Sequence, residues 1–127
     1  MEKWCYICVS NGLVLDIAYG AWGNKITLYE RHGGDNQLWK FQDGFLVSKG
    51  GLVADISGVN ANEAVIGQDQ HQSMNQKWTK EGDCIQNQRT GMVIQVKDGK
   101  MESGTEIIMS TKNSPFFNQM FFIVPEN

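Results

Sequence analysis

The sequence predicts an all-β protein of about twelve short strands arranged as three repeats, and three observations carry that prediction. The tetrapeptide Asn36-Gln37-Leu38-Trp39 returns as Asn75-Gln76-Lys77-Trp78 and, with Phe in place of Trp, as Asn118-Gln119-Met120-Phe121. A second motif, Gly12-Leu13-Val14-Leu15-Asp16-Ile17, returns as Gly51-Leu52-Val53-Ala54-Asp55-Ile56 at the same offset, since 51 − 12 and 75 − 36 are both 39. Finally, no window keeps a 3.6-residue apolar period long enough for a helix of usual length, while 14 glycines and only 2 prolines punctuate short apolar runs.

Residues 12–39 and 51–78 align without a gap and agree at nine of 28 positions. Composition alone gives roughly two. A third unit opens with Gly91-Met92-Val93-Ile94-Gln95-Val96, 40 residues after Gly51, but Asn118 follows Asn75 by 43. That copy therefore carries three inserted residues. The chain of 127 residues is the size of one ordinary domain, here 1–127, with repeats at about 4–42, 43–82 and 83–127.

In the first repeat, residues 6–9, 13–17, 26–29 and 38–41 are runs of β-branched, aromatic and aliphatic side chains. Clusters of Gly, Asn, Asp and Ser at 10–12, 20–24 and 32–36 separate them. The second repeat reads the same way from 45–47 through 52–56 and 65–66 to Trp78. The third runs through 84–85, 92–96, 106–109 and 120–124. One such unit cannot bury its apolar face alone. Three units about a pseudo-threefold axis can close a small barrel and cap it with hairpins, which removes free strand edges. Trp39, Trp78 and Phe121 then become equivalent core positions, and Gln37, Gln76 and Gln119 satisfy nearby buried backbone groups.

A formal net charge of −3 argues against nucleic-acid or anionic-membrane partners, which need a basic face. No apolar run approaches the roughly 20 residues of a membrane span, so membrane insertion is not expected. The apolar residues near the N-terminus alternate and break at 10–12, unlike a signal-peptide core, which leaves the compartment open between cytosol and export as a mature chain. Cys5, Cys8 and Cys84 cannot all pair within one chain. Cys5 and Cys8 spell C-x-x-C inside a strand, where residues three apart face opposite ways, so buried thiols are expected rather than a metal or redox pair.

A repeat of about 40 residues with G-x-V-x-D-[IV], a glycine-rich turn, a short strand and N-Q-x-W resembles the R-type, ricin B-chain-like β-trefoil lectins over essentially the whole chain. The aspartate paired with Asn-Gln-x-Trp carries the resemblance, since Gln-x-Trp alone is common. It implies a β-trefoil and a shallow sugar site in each repeat. There an aspartate accepts bonds from two adjacent hydroxyls, an aromatic ring stacks on the sugar's C–H face, and the motif asparagine completes the polar contacts. The chemistry is apt: a carboxylate makes charge-assisted bonds, a π-face meets C–H groups, and an amide both donates and accepts.

Carried over residue by residue, the resemblance gives three unequal sites. The first is complete: Asp16, Tyr29 and Asn36, with His32 and Gly33-Gly34 in the loop between ring and amide. The second keeps Asp55 and Asn75 at the same spacing of 20 residues, but Gln68 stands at the stacking position and His71, aligned with His32, is the candidate ring. The third has Gln95 for the aspartate and Thr111 at the aromatic position; Asn118 remains, Phe116 and Phe117 are candidate rings, and a weak or silent site is expected. Trp22, in a glycine-rich loop, is a candidate for glycan-rim or oligomer contact.

The expected function is therefore sugar binding without catalysis, cofactor or metal. The ligands would be galactose- or N-acetylgalactosamine-containing glycans on glycoproteins or glycolipids, bound at one to three sites, with homodimerisation as one route to avidity. Two alternatives stand beside it. One is a β-trefoil that binds proteins and not sugar. The other is an enzyme, which finds no Ser/His/Asp spacing, phosphate loop or metal cluster to support it.

Overall fold

Apolar runs cut by Gly, Asn and Asp give twelve strands among the residues described by the computed structural model, 3–18, 24–113 and 116–126. The first repeat supplies β1 (Cys5–Cys8), β2 (Val14–Ala18), β3 (Lys25–Tyr29) and β4 (Trp39–Gln42). The second supplies β5 (Phe45–Ser48), β6 (Val53–Ile56), β7 (Val65–Gln68) and β8 (Trp78–Glu81). The third supplies β9 (Cys84–Asn87), β10 (Val93–Val96), β11 (Ile107–Ser110) and β12 (Phe122–Pro125). Between β4 and β5 the tight turn needs left-handed backbone, and Asp43 (φ 54°) and Gly44 (φ 84°) provide it. Trp22 lies outside the described residues.

Six strands form the barrel. β1 pairs with β12 and β4, β4 with β5, and β8 with β9, all antiparallel. The Trp78 N–H donates to the Gly44 carbonyl at 2.8 Å, and Phe121 N–H to Asp83 at 2.8 Å, joining the repeats around the ring. The other strands form three hairpins, β2–β3, β6–β7 and β10–β11, that interlock cyclically. Gly67 N–H donates to the Asn24 carbonyl (2.8 Å), Met109 N–H to Glu63 (2.9 Å) and Leu28 N–H to Thr105 (2.8 Å). Each repeat thus hands a hairpin edge to the next. The arrangement is a β-trefoil.

Trp39, Trp78 and Phe121 are at most 2% exposed and pack with Ile7, Leu15, Ile17, Leu28, Ile85 and Met109 in one core. The indole N–H groups of Trp39 and Trp78 donate to the carbonyls of Leu15 (3.1 Å) and Ala54 (3.0 Å), tying the barrel to the hairpins. The Phe121 ring has no such donor and is held by packing alone, although its backbone N–H bonds to Asp83. Cys5, Cys8 and Cys84 are buried free thiols, and desolvation pushes Cys5 and Cys8 up from the usual thiol range.

Two features were not visible as sequence patterns. Three-residue 3-10 turns, Asp35–Gln37, Met74–Gln76 and Phe117–Gln119, place each motif asparagine and glutamine just before the closing strand. They are too short to leave a periodic signal. The three extra residues of the third repeat are also divided. Pairings at Ala18–Lys25, Ser57–Ala64 and Lys97–Glu106 bracket hairpin loops 19–24, 58–63 and 98–105, of six, six and eight residues. The remaining inserted residue lies in 112–118. The register corrects one expectation: Tyr29 faces Val14, Gln68 faces Val53, and Ser110 faces Val93, so Ser110 and not Thr111 holds the aromatic position.

Candidate functional site

The glutamine of each motif organises its repeat through the same bonds. The Gln37 amide oxygen accepts from the N–H groups of His32 (2.9 Å) and Gly33 (3.3 Å), and its nitrogen donates to the Glu30 carbonyl (2.8 Å) and to Asp16 Oδ2 (2.8 Å). Gln76 repeats this with His71 N–H, the Asp69 carbonyl and Asp55 Oδ2, and Gln119 with Asn113 N–H, the Thr111 carbonyl and Gln95 Oε1. All three are at most 1% exposed. They satisfy backbone groups as expected, and they also clamp the strand residue at the head of each candidate site.

At the first repeat the expected residues come together. Asp16 sits near the end of β2, 5% exposed, with Asn36 Nδ2 donating to its Oδ1 at 3.0 Å and to the Ile17 carbonyl at 3.1 Å. Burial pushes the Asp16 carboxyl above the usual carboxylate range, against the opposing pull of Gln37, His32 and Asn36. A carboxylate offers about four lone-pair sites, and two are taken by the short bonds, which leaves about two without one. Tyr29, at the end of β3, is 46% exposed and meets His32 edge to face, ring centroids 6.1 Å apart. His32 Nδ1 accepts from Gly34 N–H at 2.9 Å, which leaves its Nε2 turned toward Asp16 Oδ2 at 3.6 Å. Gly33 is spent on structure: its backbone is left-handed (φ 81°) and its N–H faces Gln37.

These side chains form one wall and the floor of a cleft of about 890 Å³. Across it stand Lys97, Asp98, Lys100, Glu102, Ser103 and Glu106 of the third repeat's long hairpin. Glu106 pairs with Lys25 at 2.5 Å and Lys97 at 3.4 Å, and these two lysines hold its carboxyl below the usual range.

The second repeat is a variation. Asp55 is 6% exposed and His71 Nε2 lies 3.4 Å from its Oδ2, with Ser73 N–H donating to His71 Nδ1 at 3.1 Å. Asp55 Oδ1, however, accepts from its neighbour Ile56 N–H at 2.7 Å. Asn75 Oδ1 is engaged by Arg89 Nη1 of the third repeat at 3.2 Å. Gln68 ends β7 exposed.

The third repeat is closed. Asn118 is 4% exposed and its Oδ1 is buried without a hydrogen-bond partner. Gly99, in the 3-10 turn Lys97–Gly99 that opens the long hairpin, lies so close that an added Cβ would stand 3.4 Å from Asn118 Nδ2. Gln95 Oε1 is taken by Gln119 at 2.8 Å. Phe117 is 56% exposed beside Phe116, ring centroids 6.3 Å apart.

Arg89 and the long hairpin leave no sequence signal as parts of a site. Gly34, in the site loop beside His32, is packed tightly: a Cβ there would stand 2.6 Å from the imidazole Cε1 and 2.9 Å from Asn36 Oδ1.

A model of the ricin-type β-trefoil lectin domain matches residues 4–121. The chain belongs to that family. Carbohydrate binding is the family's general function, and its members are generally non-catalytic. Among solved structures, this lectin is similar to the C-half of an earthworm R-type lectin in complex with GalNAc. The two are 27% identical with a TM-score of 0.84, over 98% of this chain and 100% of that one. A designed threefold-symmetric protein, ThreeFoil, is 22% identical with a TM-score of 0.85, over 97% and 99% of the two chains. A non-toxic homologue of type II ribosome-inactivating proteins from Momordica charantia, in complex with α-methyl-D-galactoside, is 20% identical. Its TM-score is 0.83, over 97% of this chain and 48% of that one. The last two likenesses concern the fold. A sequence comparison with curated proteins finds no match.

Proposed function

We propose that the chain acts as one lectin domain that binds terminal galactose or N-acetylgalactosamine without catalysis, chiefly at the first repeat. The observation that carries this reading is the Asp16 carboxylate. It is buried against its own electrostatic preference, yet lies on a cleft floor with lone pairs to spare, two residue pairs along the β2–β3 ladder from an exposed tyrosine. Asp16 and Asn36 take the hydroxyl fan, Tyr29 stacks on the C–H face, and His32 Nε2 lies beside the carboxylate. Earthworm lectin with GalNAc, at 27% identity, supports the same ligand class. The second repeat is a weaker site, and the third, with Asn118 buried, is silent.

One shallow site of this kind should bind with a Kd of about 0.1–1 mM, or about 4–5.5 kcal/mol. Two sites on one chain, or a homodimer, would raise avidity for glycoproteins or glycolipids at a surface. Titrating methyl β-galactoside and N-acetylgalactosamine into the protein, followed by NMR shifts, tests the reading. Saturable shifts at Asp16, Tyr29 and Asn36 that vanish in Asp16→Ala are expected. No saturable shift with either sugar would overturn it.

A further inference from the structure

We propose that the first site is built for more than one sugar ring: the third repeat's long hairpin supplies a second subsite, selective for a neutral sugar residue next to the terminal galactose. This rests on the galactose-type reading above and extends it to the next ring.

The cleft is divided between two repeats. Asp16, Tyr29, His32 and Asn36 lie on one side, and Lys100, Glu102 and Ser103 lie on the other, about 70 residues later in the chain. The cleft, about 890 Å³ and open to solvent rather than enclosing, has more room than one sugar ring fills. The hairpin reaches the first repeat through fixed backbone bonds. Leu28 N–H donates to the Thr105 carbonyl at 2.8 Å, and Gly104 N–H donates to the Leu28 carbonyl at 2.7 Å. Two of the three residues inserted into the third repeat lie in this loop, 98–105. The start of the same segment, at Gly99, lies beside the buried Asn118, so one hairpin borders the third repeat's motif asparagine and also forms a wall of the first site.

The wall's charges decide what it accepts. Lys25 and Lys97 are both paired to Glu106, and Lys100 is paired to Glu102 at 3.4 Å. Among the described residues, with Asp16 and Asp98 included, four carboxylates line the cleft against three ammonium groups. No surplus of positive charge is left to hold a uronic acid or a sialic acid, and the excess carboxylate repels one. Hydroxyls of a neutral ring find donors and acceptors in Lys100, Glu102 and Ser103, whose side chains are exposed, the first two paired with each other.

The test compares three probes on the wild-type chain by NMR titration or calorimetry: methyl β-galactoside, lactose, and a galactosyl-glucuronic acid disaccharide. Lactose is expected to bind about fivefold or more tightly than the monosaccharide, the effect of about one added net hydrogen bond, and the acidic disaccharide no better than the monosaccharide. In a Lys100→Ala/Glu102→Ala/Ser103→Ala variant the lactose gain should disappear while the monosaccharide affinity stays. Equal affinities for lactose and monosaccharide, a gain that survives the triple substitution, or a preference for the acidic disaccharide would each overturn the subsite. Absence of monosaccharide binding would instead remove the galactose-type reading on which it stands.

Discussion

Asn36 and Asp16, twenty residues apart in sequence, are joined by a 3.0 Å hydrogen bond from Nδ2 to Oδ1, while the next residue, Gln37, holds the other carboxylate oxygen at 2.8 Å. The closing motif of the repeat therefore grips its opening motif at both oxygens. In the second repeat the glutamine grip persists at 3.1 Å, but Asn75 is turned to Arg89. The consequences for binding and stability can be separated by substitution.

Asp16→Ala should lower galactose affinity at least about tenfold, since a charge-assisted bond is worth about 1.5–3 kcal/mol. Asp55→Ala should have a smaller effect and Gln95→Ala none. A per-site readout by NMR shifts checks the order. A larger loss from Gln95→Ala than from Asp16→Ala would contradict the ranking of the three repeats.

Acidification should weaken binding. Burial raises Asp16 above the ordinary carboxylate value, so the carboxylate proposed to accept the sugar hydroxyls is lost as pH falls through that raised value, earlier than for an exposed aspartate. Calorimetric titrations between neutral pH and about pH 4 would follow this. Affinity unchanged over that range would show that the ionised form is not what binds.

The same shift predicts a trade between stability and binding. Because the folded state holds the Asp16 proton more tightly than the unfolded chain, ionising it costs stability. The cost is fully present above the raised folded value and is relieved as pH falls below the ordinary one. Asp16→Asn keeps an acceptor for Gln37, and Asn36 keeps the Ile17 carbonyl at 3.1 Å. The variant should be at least as stable as the parent in urea at pH 7, with the difference shrinking on acidification, and should not bind sugar. A large loss of stability at pH 7 would show that the carboxylate is structural.

Gly34→Ala should damage the site with little effect on the core. Its Cβ would crowd both the His32 ring and Asn36 Oδ1, forcing two site groups to move, while the barrel lies elsewhere. Reduced affinity with a melting temperature within a few degrees of the parent is the expected pair of results. Unchanged affinity would mean that His32 and Asn36 can move without loss.

Substitutions in the motif's structural half should behave in the opposite way. Trp39→Phe removes the bond to the Leu15 carbonyl and part of a large buried ring, and it copies what the third repeat already tolerates at Phe121. A cost of about 1–3 kcal/mol is expected. Gln37→Ala leaves the His32 N–H and Glu30 carbonyl without their partner and should cost about 2–4 kcal/mol. Urea unfolding of both variants measures this.

The sequence by itself determined the architecture and which residues gather at the first candidate site. Repeats at a fixed offset of 39 can bury their apolar faces only by packing on one another, so Trp39, Trp78 and Phe121 had to become one core. The aspartate and asparagine, held twenty residues apart in two repeats by local strand and turn geometry, were likewise legible at Asp16 and Asn36. Tertiary structure decided the rest, because it depends on contacts between repeats that no spacing within one repeat records. Arg89 reaches back to Asn75, Gly99 packs over Asn118, and the long hairpin crosses to the first repeat. The three inserted residues could be counted in the sequence. Only their division around β11, two before it and one after, showed that Ser110 faces Val93 and that the Asp16 cleft has a second wall.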